Sequence, residues 1–180
     1  MAPHHISTDI HDHDGDRVVA LRRQLHRAHE ELERRMREIR THIGRRRLTD
    51  DELLTHCLAF CTALTNHHQG EDRGMFAQLL RERPDLAPTI EKLVEDHGLI
   101  TSILTRVRAL ADTAADTAAE PPGSDPEKAA AIAAELDGLA AIMASHFRYE
   151  ERAIGEALDS AVPDPDPGWP EAVFGFEPPA

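Results

Sequence analysis

The stretch HFRYEE, residues 146–151, lies in a segment whose regularly spaced residues are otherwise apolar: Leu139, Ile142 and Met143 before it, Ile154 and Leu158 after it. Side chains four residues apart project from the same side of a helix, so His146 and Glu150 share the apolar face of this one. Polar groups buried without partners are costly, and the pair therefore predicts a partner inside the fold.

The pattern occurs twice. HHQGED, residues 67–72, aligns with HFRYEE at a shift of 79 residues, and the flanks follow: Cys57 falls on Leu136, Phe60 on Leu139, Leu64 on Met143 and Leu79 on Leu158. His67 thus matches His146, and Glu71 matches Glu150. A second repeat, at a shift of 68, relates Leu25 to Leu93, Leu32 to Ile100, Met36 to Leu104 and Ile39 to Val107, and places His29 on His97. Each of these His residues sits between apolar neighbours at helical spacing and faces a core.

Four helices follow from this reading. The first spans about Asp16 to Ile43, with Gly44 as its stop. TDDE at 49–52 has the form of a capping box and opens a second helix reaching about Arg81. Pro84 and Pro88 bracket a short link, and a third helix runs from about Pro88 to Ala119. PPGSDPE breaks the chain, and Ser124 with Glu127 can cap a fourth helix that reaches about Ser160. The expected fold is all-α, an up-down-up-down antiparallel four-helix bundle with irregular N- and C-terminal extensions. Residues 16–161 form the bundle, 1–15 a flexible His/Asp-rich tail and 162–180 a Pro-rich acidic tail, from which Trp169, Phe174 and Phe176 could fold back.

In such a bundle six groups converge: His29, His67, Glu71, His97, His146 and Glu150. Two metal ions need such a set, because imidazoles donate nitrogen while a carboxylate can bridge two cations and balance their charge. Mixed nitrogen and oxygen donors suit iron or manganese better than calcium or magnesium. Taken singly, an inward His is ordinarily a hydrogen-bonded core residue, and one His-x-x-x-Glu is ordinarily a helical side-chain pair. Two independent repeats in register outweigh those readings.

Other residues carry less. His26 rivals His29, but its repeat partner is Val94 and it lies toward the edge of the apolar stripe. His68 corresponds to Phe147, which favours an outer-sphere or surface position. Asp72 and Glu151 follow the carboxylates and are either exposed charges or acceptors behind the ligands. Tyr149 turns off the metal face, and Cys57 and Cys61, one helical turn apart, read as small hydrophobes with reduced thiols. His4, His5, His11 and His13 read as a solvated tail, and the Arg run 45–47 as a loop.

Composition is compatible with all of this. Of 180 residues, 41% are hydrophobic but only 4% aromatic, which favours helix over sheet. The net charge of −13 is uneven: residues 1–16 and 161–180 each carry −4, leaving a mildly acidic middle with which nucleic acid is an unsuitable partner. No apolar run approaches a membrane span, and MAPHHISTDIHDHDGD lacks the basic and apolar regions of a secretory signal. The expectation is a cytoplasmic protein with no membrane partner.

On these residues the chain resembles hemerythrin-like proteins of the HHE cation-binding family. The resemblance covers roughly 17–160 and rests on His29, His67-x-x-x-Glu71, His97 and His146-x-x-x-Glu150, with HFRYEE followed by Ala-Ile and HHQGED followed by Arg-Gly-Met-Phe. It implies a non-haem di-iron centre with an oxo or hydroxo bridge, Glu71 and Glu150 as bridging carboxylates and the four His as terminal ligands. One departure is Leu93, where oxygen-carrying members have a second His; this implies an additional open coordination position. Ala77 and Glu156 replace a frequent Pro near the helix ends.

Three functions are expected in turn: a protein binding O2 or a related small ligand (NO, peroxide) for sensing, storage or detoxification; a di-iron oxidoreductase, as oxygenase, peroxidase or NO reductase, using the open position; and an iron-responsive interaction protein whose folding is coupled to loading. Nothing resembles a nucleophile with its base, a phosphate loop or a dinucleotide fingerprint.

Overall fold

The computed structural model describes residues 9–44, 50–112 and 126–160, and all of these but Arg83 are helical. Helix α1 spans Asp9–Gly44, α2 spans Asp50–Gly70, α3 spans Phe76–Glu82, α4 spans Ala87–Asp112 and α5 spans Pro126–Ser160. A π-helical turn, Glu71–Met75, joins α2 to α3, so the second helix widens at its carboxylate instead of running straight. α1 already begins at Asp9, ahead of the expected Asp16. The proposed cap residues Thr49 and Ser124, the Arg run 45–47, residues 113–119 of the expected third helix and the tail residues Trp169, Phe174 and Phe176 fall outside the described residues.

Proline sets the reversal after α3. The residue before a proline is biased toward extended backbone, and Arg83 has φ −134° and ψ 75° ahead of Pro84. A 3₁₀ turn at Pro84–Leu86 then leads directly into α4.

α1 packs against α2 and α5, and α4 packs against the same two, so each long helix has two neighbours. The core falls into two apolar clusters. The larger holds Leu32, Met36, Phe60, Leu64, Leu104, Leu139 and Phe147; the smaller holds Leu25, Met75, Phe76, Leu79, Ile90, Leu93 and Ile154. Burying a side chain of this size contributes roughly 1.5–3 kcal/mol. The clusters are met in opposite order on successive helices: small then large along α1, large then small along α2 and α3, small then large along α4, large then small along α5. On α1, α4 and α5, and where α2 leads into α3, the His and Glu residues named above lie where one cluster gives way to the other, with Phe147 of the larger cluster standing between His146 and Glu150.

One sequence expectation fails in α5. Ala130–Ala157 is long and apolar enough to cross a membrane by length and composition. Alanines interleaved with Ile, Leu and Met raise its hydropathy, and its larger apolar residues Ile132, Leu136, Leu139, Met143 and Ile154 are buried against the rest of the bundle. Cys57 and Cys61 are buried in the larger cluster as free thiols, and burial pushes the Cys57 thiol up to about 12.

Candidate metal centre

The repeats place His29 on α1, His67 on α2, Glu71 at the start of the π-turn, His97 on α4, and His146 and Glu150 on α5. All six are at most 3% exposed. They form one polar layer between the apolar clusters, and helix periodicity explains it: the same faces that carry Leu and Met above and below carry His and Glu here.

Within the layer the imidazoles fall into two pairs. His97 Nε2 and His146 Nε2 approach to 3.1 Å, with ring planes 74° apart. His29 and His67 meet edge to face, centroids 5.1 Å apart. Glu71 lies between the pairs: its Oε1 is 3.0 Å from His67 Nε2 and 3.9 Å from His29 Nε2, while its Oε2 is 3.6 Å from His97 Nε2. Glu150 Oε2 is 3.4 Å from His29 Nε2 and 3.6 Å from His146 Nε2. Three donor groups close enough to hold a cation result: His29, His67, Glu71; Glu71, His97, Glu150; and His68, His97, His146.

Outside the layer, two imidazoles are oriented by carboxylates. Glu151 Oε1 is 2.8 Å from His29 Nδ1, and Asp72 Oδ1 is 2.8 Å from His97 Nδ1. An ionised carboxylate only accepts, so each Nδ1–H donates and each Nε2 faces inward, where a cation can displace its proton and take the lone pair. Asp72 and Glu151 thus hold the acceptor positions behind His97 and His29. Asp96 Oδ2 lies 3.5 Å from His146 Nδ1. His26, the rival to His29, is mostly exposed and pairs with Glu151 and Glu30 at the rim.

Electrostatics reflects this crowding. Burial, and then the charge of Glu150, push the Glu71 carboxyl up to about 8. Burial pulls His29 down, but the carboxylates of Glu150, Glu151 and Glu71 around it outweigh that and leave the imidazole well above its ordinary value. His97 is also raised, burial being outweighed by Asp72 and the two buried glutamates. His146 is lowered, chiefly by burial. The hydrogen bond from His29 holds Glu151 below the usual carboxylate range.

The surface position considered for His68 is ruled out. Its ring is 3% exposed and lies face to face on His97, centroids 4.0 Å apart and planes 9° apart. Burial, and then the neighbouring imidazoles, depress it well below the ordinary value. Its repeat partner Phe147 was the available signal, because that ring is itself buried and lies on His29 at 3.9 Å and 4°. Leu93 is fully buried in the smaller apolar cluster. Tyr149 packs partly buried against that cluster, with Arg152 over its ring.

These residues fit a metal centre on their own chemistry. Among the described residues, both oxygens of Glu71, both oxygens of Glu150, His29 Nε2 and His146 Nδ1 are buried and make no hydrogen bond. Leaving even one such group uncompensated costs about 1–3 kcal/mol, and more for a charge. A cation bound among them supplies the missing partner.

Searches of curated proteins and of solved structures returned no match. The model of the hemerythrin HHE cation binding domain matches residues 20–158, and the chain belongs to that metal-binding family.

Proposed function

We propose that His29, His67, Glu71, His97, His146 and Glu150 hold two iron ions and that the protein binds O2 or a related small ligand (NO, peroxide) for sensing, storage or detoxification. One observation carries the reading: Glu71 turns Oε1 toward the His29/His67 pair and Oε2 toward the His97/His146 pair, the disposition of a bridging carboxylate. Glu150, whose Oε2 reaches both pairs, would hold the ions from the other side and help balance their charge. The resulting mixed donor set is suited to iron, with manganese as the alternative. Bound ferrous iron supplies the electrons by which a small oxidant is held.

The protein's own groups do the rest. Asp72 and Glu151 fix two imidazoles in the inward-donating tautomer. The apolar clusters on either side exclude water from the layer. An up-down-up-down antiparallel bundle is supported by the alternating order of the clusters along successive helices. It is supported again by contacts that run in opposite directions, His29 with Glu151 and Arg40 with Asp137. A bundle running from α1 at Asp9 to the end of α5 at Ser160, and a cytoplasmic location, complete the proposal.

Anaerobic protein loaded with ferrous iron should contain two irons per chain and develop a near-ultraviolet or visible band on exposure to O2 or NO. Iron bound without any spectral response to either gas would remove the small-ligand reading.

A further inference from the structure

Within the metal-centre reading above, we infer that His68 is a positioning residue that donates a hydrogen bond to a small ligand held on the His97/His146 side, while Phe147 closes the His29/His67 side.

The inference starts from an inequality between repeats. His68 and Phe147 occupy equivalent positions, directly after His67 and His146. Each lays its ring on the imidazole of a neighbouring helix in nearly the same way: His68 on His97 at 4.0 Å and 9°, Phe147 on His29 at 3.9 Å and 4°. Packing alone is satisfied by Phe, as the second instance demonstrates. The His has the same stacking role plus two ring nitrogens, both buried and neither hydrogen-bonded among the described residues. Such nitrogens are destabilising unless something polar reaches them.

Direct ligation beside His97 does not explain them. An imidazole binds a cation along a lone pair in its own plane. Two rings stacked in near-parallel planes cannot aim such lone pairs at one ion, whereas His97 and His146, with planes 74° apart and Nε2 atoms 3.1 Å apart, converge well. His68 nevertheless keeps a ring nitrogen within 4.8 Å of nitrogens of both. A neutral imidazole always carries one N–H and one acceptor nitrogen. Such a group, beside a converging pair but outside its ligand plane, suits an acceptor atom of a bound diatomic or triatomic ligand. Phe147 offers the other pair only hydrocarbon.

The test uses azide as the probe on ferric, iron-loaded full-length protein, comparing wild type with His68→Phe and Phe147→His. Phe fits the equivalent slot already, so His68→Phe is expected to keep its circular dichroism and two irons per chain. It should bind azide about 5- to 15-fold more weakly, the loss of roughly one buried hydrogen bond. The azide infrared stretch of wild type should shift between H2O and D2O, and the shift should vanish in His68→Phe. Phe147→His should bind azide at least as tightly as wild type. Loss of iron in His68→Phe would overturn the inference by making His68 a ligand. Unchanged affinity, or a wild-type stretch insensitive to D2O, would reduce it to a packing ring; because that last measurement needs no variant, misfolding cannot shield the idea. Wild type that takes up iron but no azide also overturns it, whereas wild type that takes up no iron overturns the metal-centre reading instead.

Discussion

In α5, His146 and Glu150 lie on an uninterrupted helix that continues to Ser160, whereas in the other half the helix widens at Glu71 and ends at Glu82. The residues equivalent to Tyr149 and Ala153 there are Gly70 and Gly74. Yet both halves deliver a His and a Glu to the same layer, and both follow the Glu with a carboxylate that orients an imidazole of a neighbouring helix. The comparison separates what the site requires from what it tolerates. It requires the inward pair and the carboxylate behind it; it tolerates a change of backbone and of the adjoining ring. π-Turns recur at functional sites, and here the turn coincides with the half that carries the extra buried His.

The largest test of equivalence between the halves removes the two buried glutamates. Glu71→Ala and Glu150→Ala should each lower iron affinity by more than roughly 100-fold, beyond what outer partners command, and reduce the count below two per chain in metal analysis. If only one variant loses iron, the two carboxylates are not equivalent. Next, Phe147→Ala should cost about 3–5 kcal/mol in denaturant melts, because the ring is buried in the larger cluster as well as stacked on His29. A loss below 1 kcal/mol would show that the stack, not the core, accounts for its place.

Asp72→Asn and Glu151→Gln probe the carboxylates behind the imidazoles. Each should weaken iron binding by about 10- to 100-fold in chelator competition. Unequal losses would expose which half sets the affinity. A pH series sharpens the same point for Glu71. Its carboxyl is raised to about 8 by burial and Glu150, so the metal-free fold binds a proton there that a metal must displace. Affinity should therefore rise with pH through neutrality, by about tenfold per unit for each proton released, and level off above about 8. By the same linkage this group makes the metal-free fold less stable as pH rises from the ordinary glutamate range to about 8. Flat affinity across that window, read by calorimetry in buffers of different ionisation heat, would contradict the assignment.

The smallest effect concerns backbone. Gly138, within α5, and Gly74, within the π-turn, both have open space where a Cβ would stand. Gly138→Ala should raise stability by about 0.5–1 kcal/mol in thermal melts, the ordinary helical difference between the two residues. A similar gain at Gly74 would mean that tertiary packing, not glycine's freedom, holds the turn wide.

The six residues of the layer were legible because each repeats on the period of a helix and each is flanked by residues that can only be core. Their convergence needed no knowledge of loops. The π-turn was not legible: HHQGEDRGMF keeps an α-helical spacing of apolar residues through Met75 and Leu79, and nothing local announces one wider turn. The place of His68 was half legible. Its polarity suggested the outside, while its alignment with Phe147 pointed inward, and the packing against His97 decided the matter. The early start of α1 was hidden by an Asp- and His-rich run with little apolar periodicity. The apolar character of α5 was underestimated because Glu135 and Asp137 interrupt the run, while the alanines between its larger side chains keep the mean hydropathy high.

Asp72 and Glu151 have a mechanical consequence. Each follows a glutamate of the layer yet grips a ring from another helix, Asp72 joining the second segment to α4 and Glu151 joining α5 to α1, and the His97–His146 contact ties the two pairs together at one level of the bundle. That level acts as a belt: the two ends of the barrel of helices can breathe separately, while the waist moves only if several laces release at once. Among the described residues, amide exchange around His29, His97 and His146 should then be the slowest, and cation loading should slow it further at the waist than at the ends.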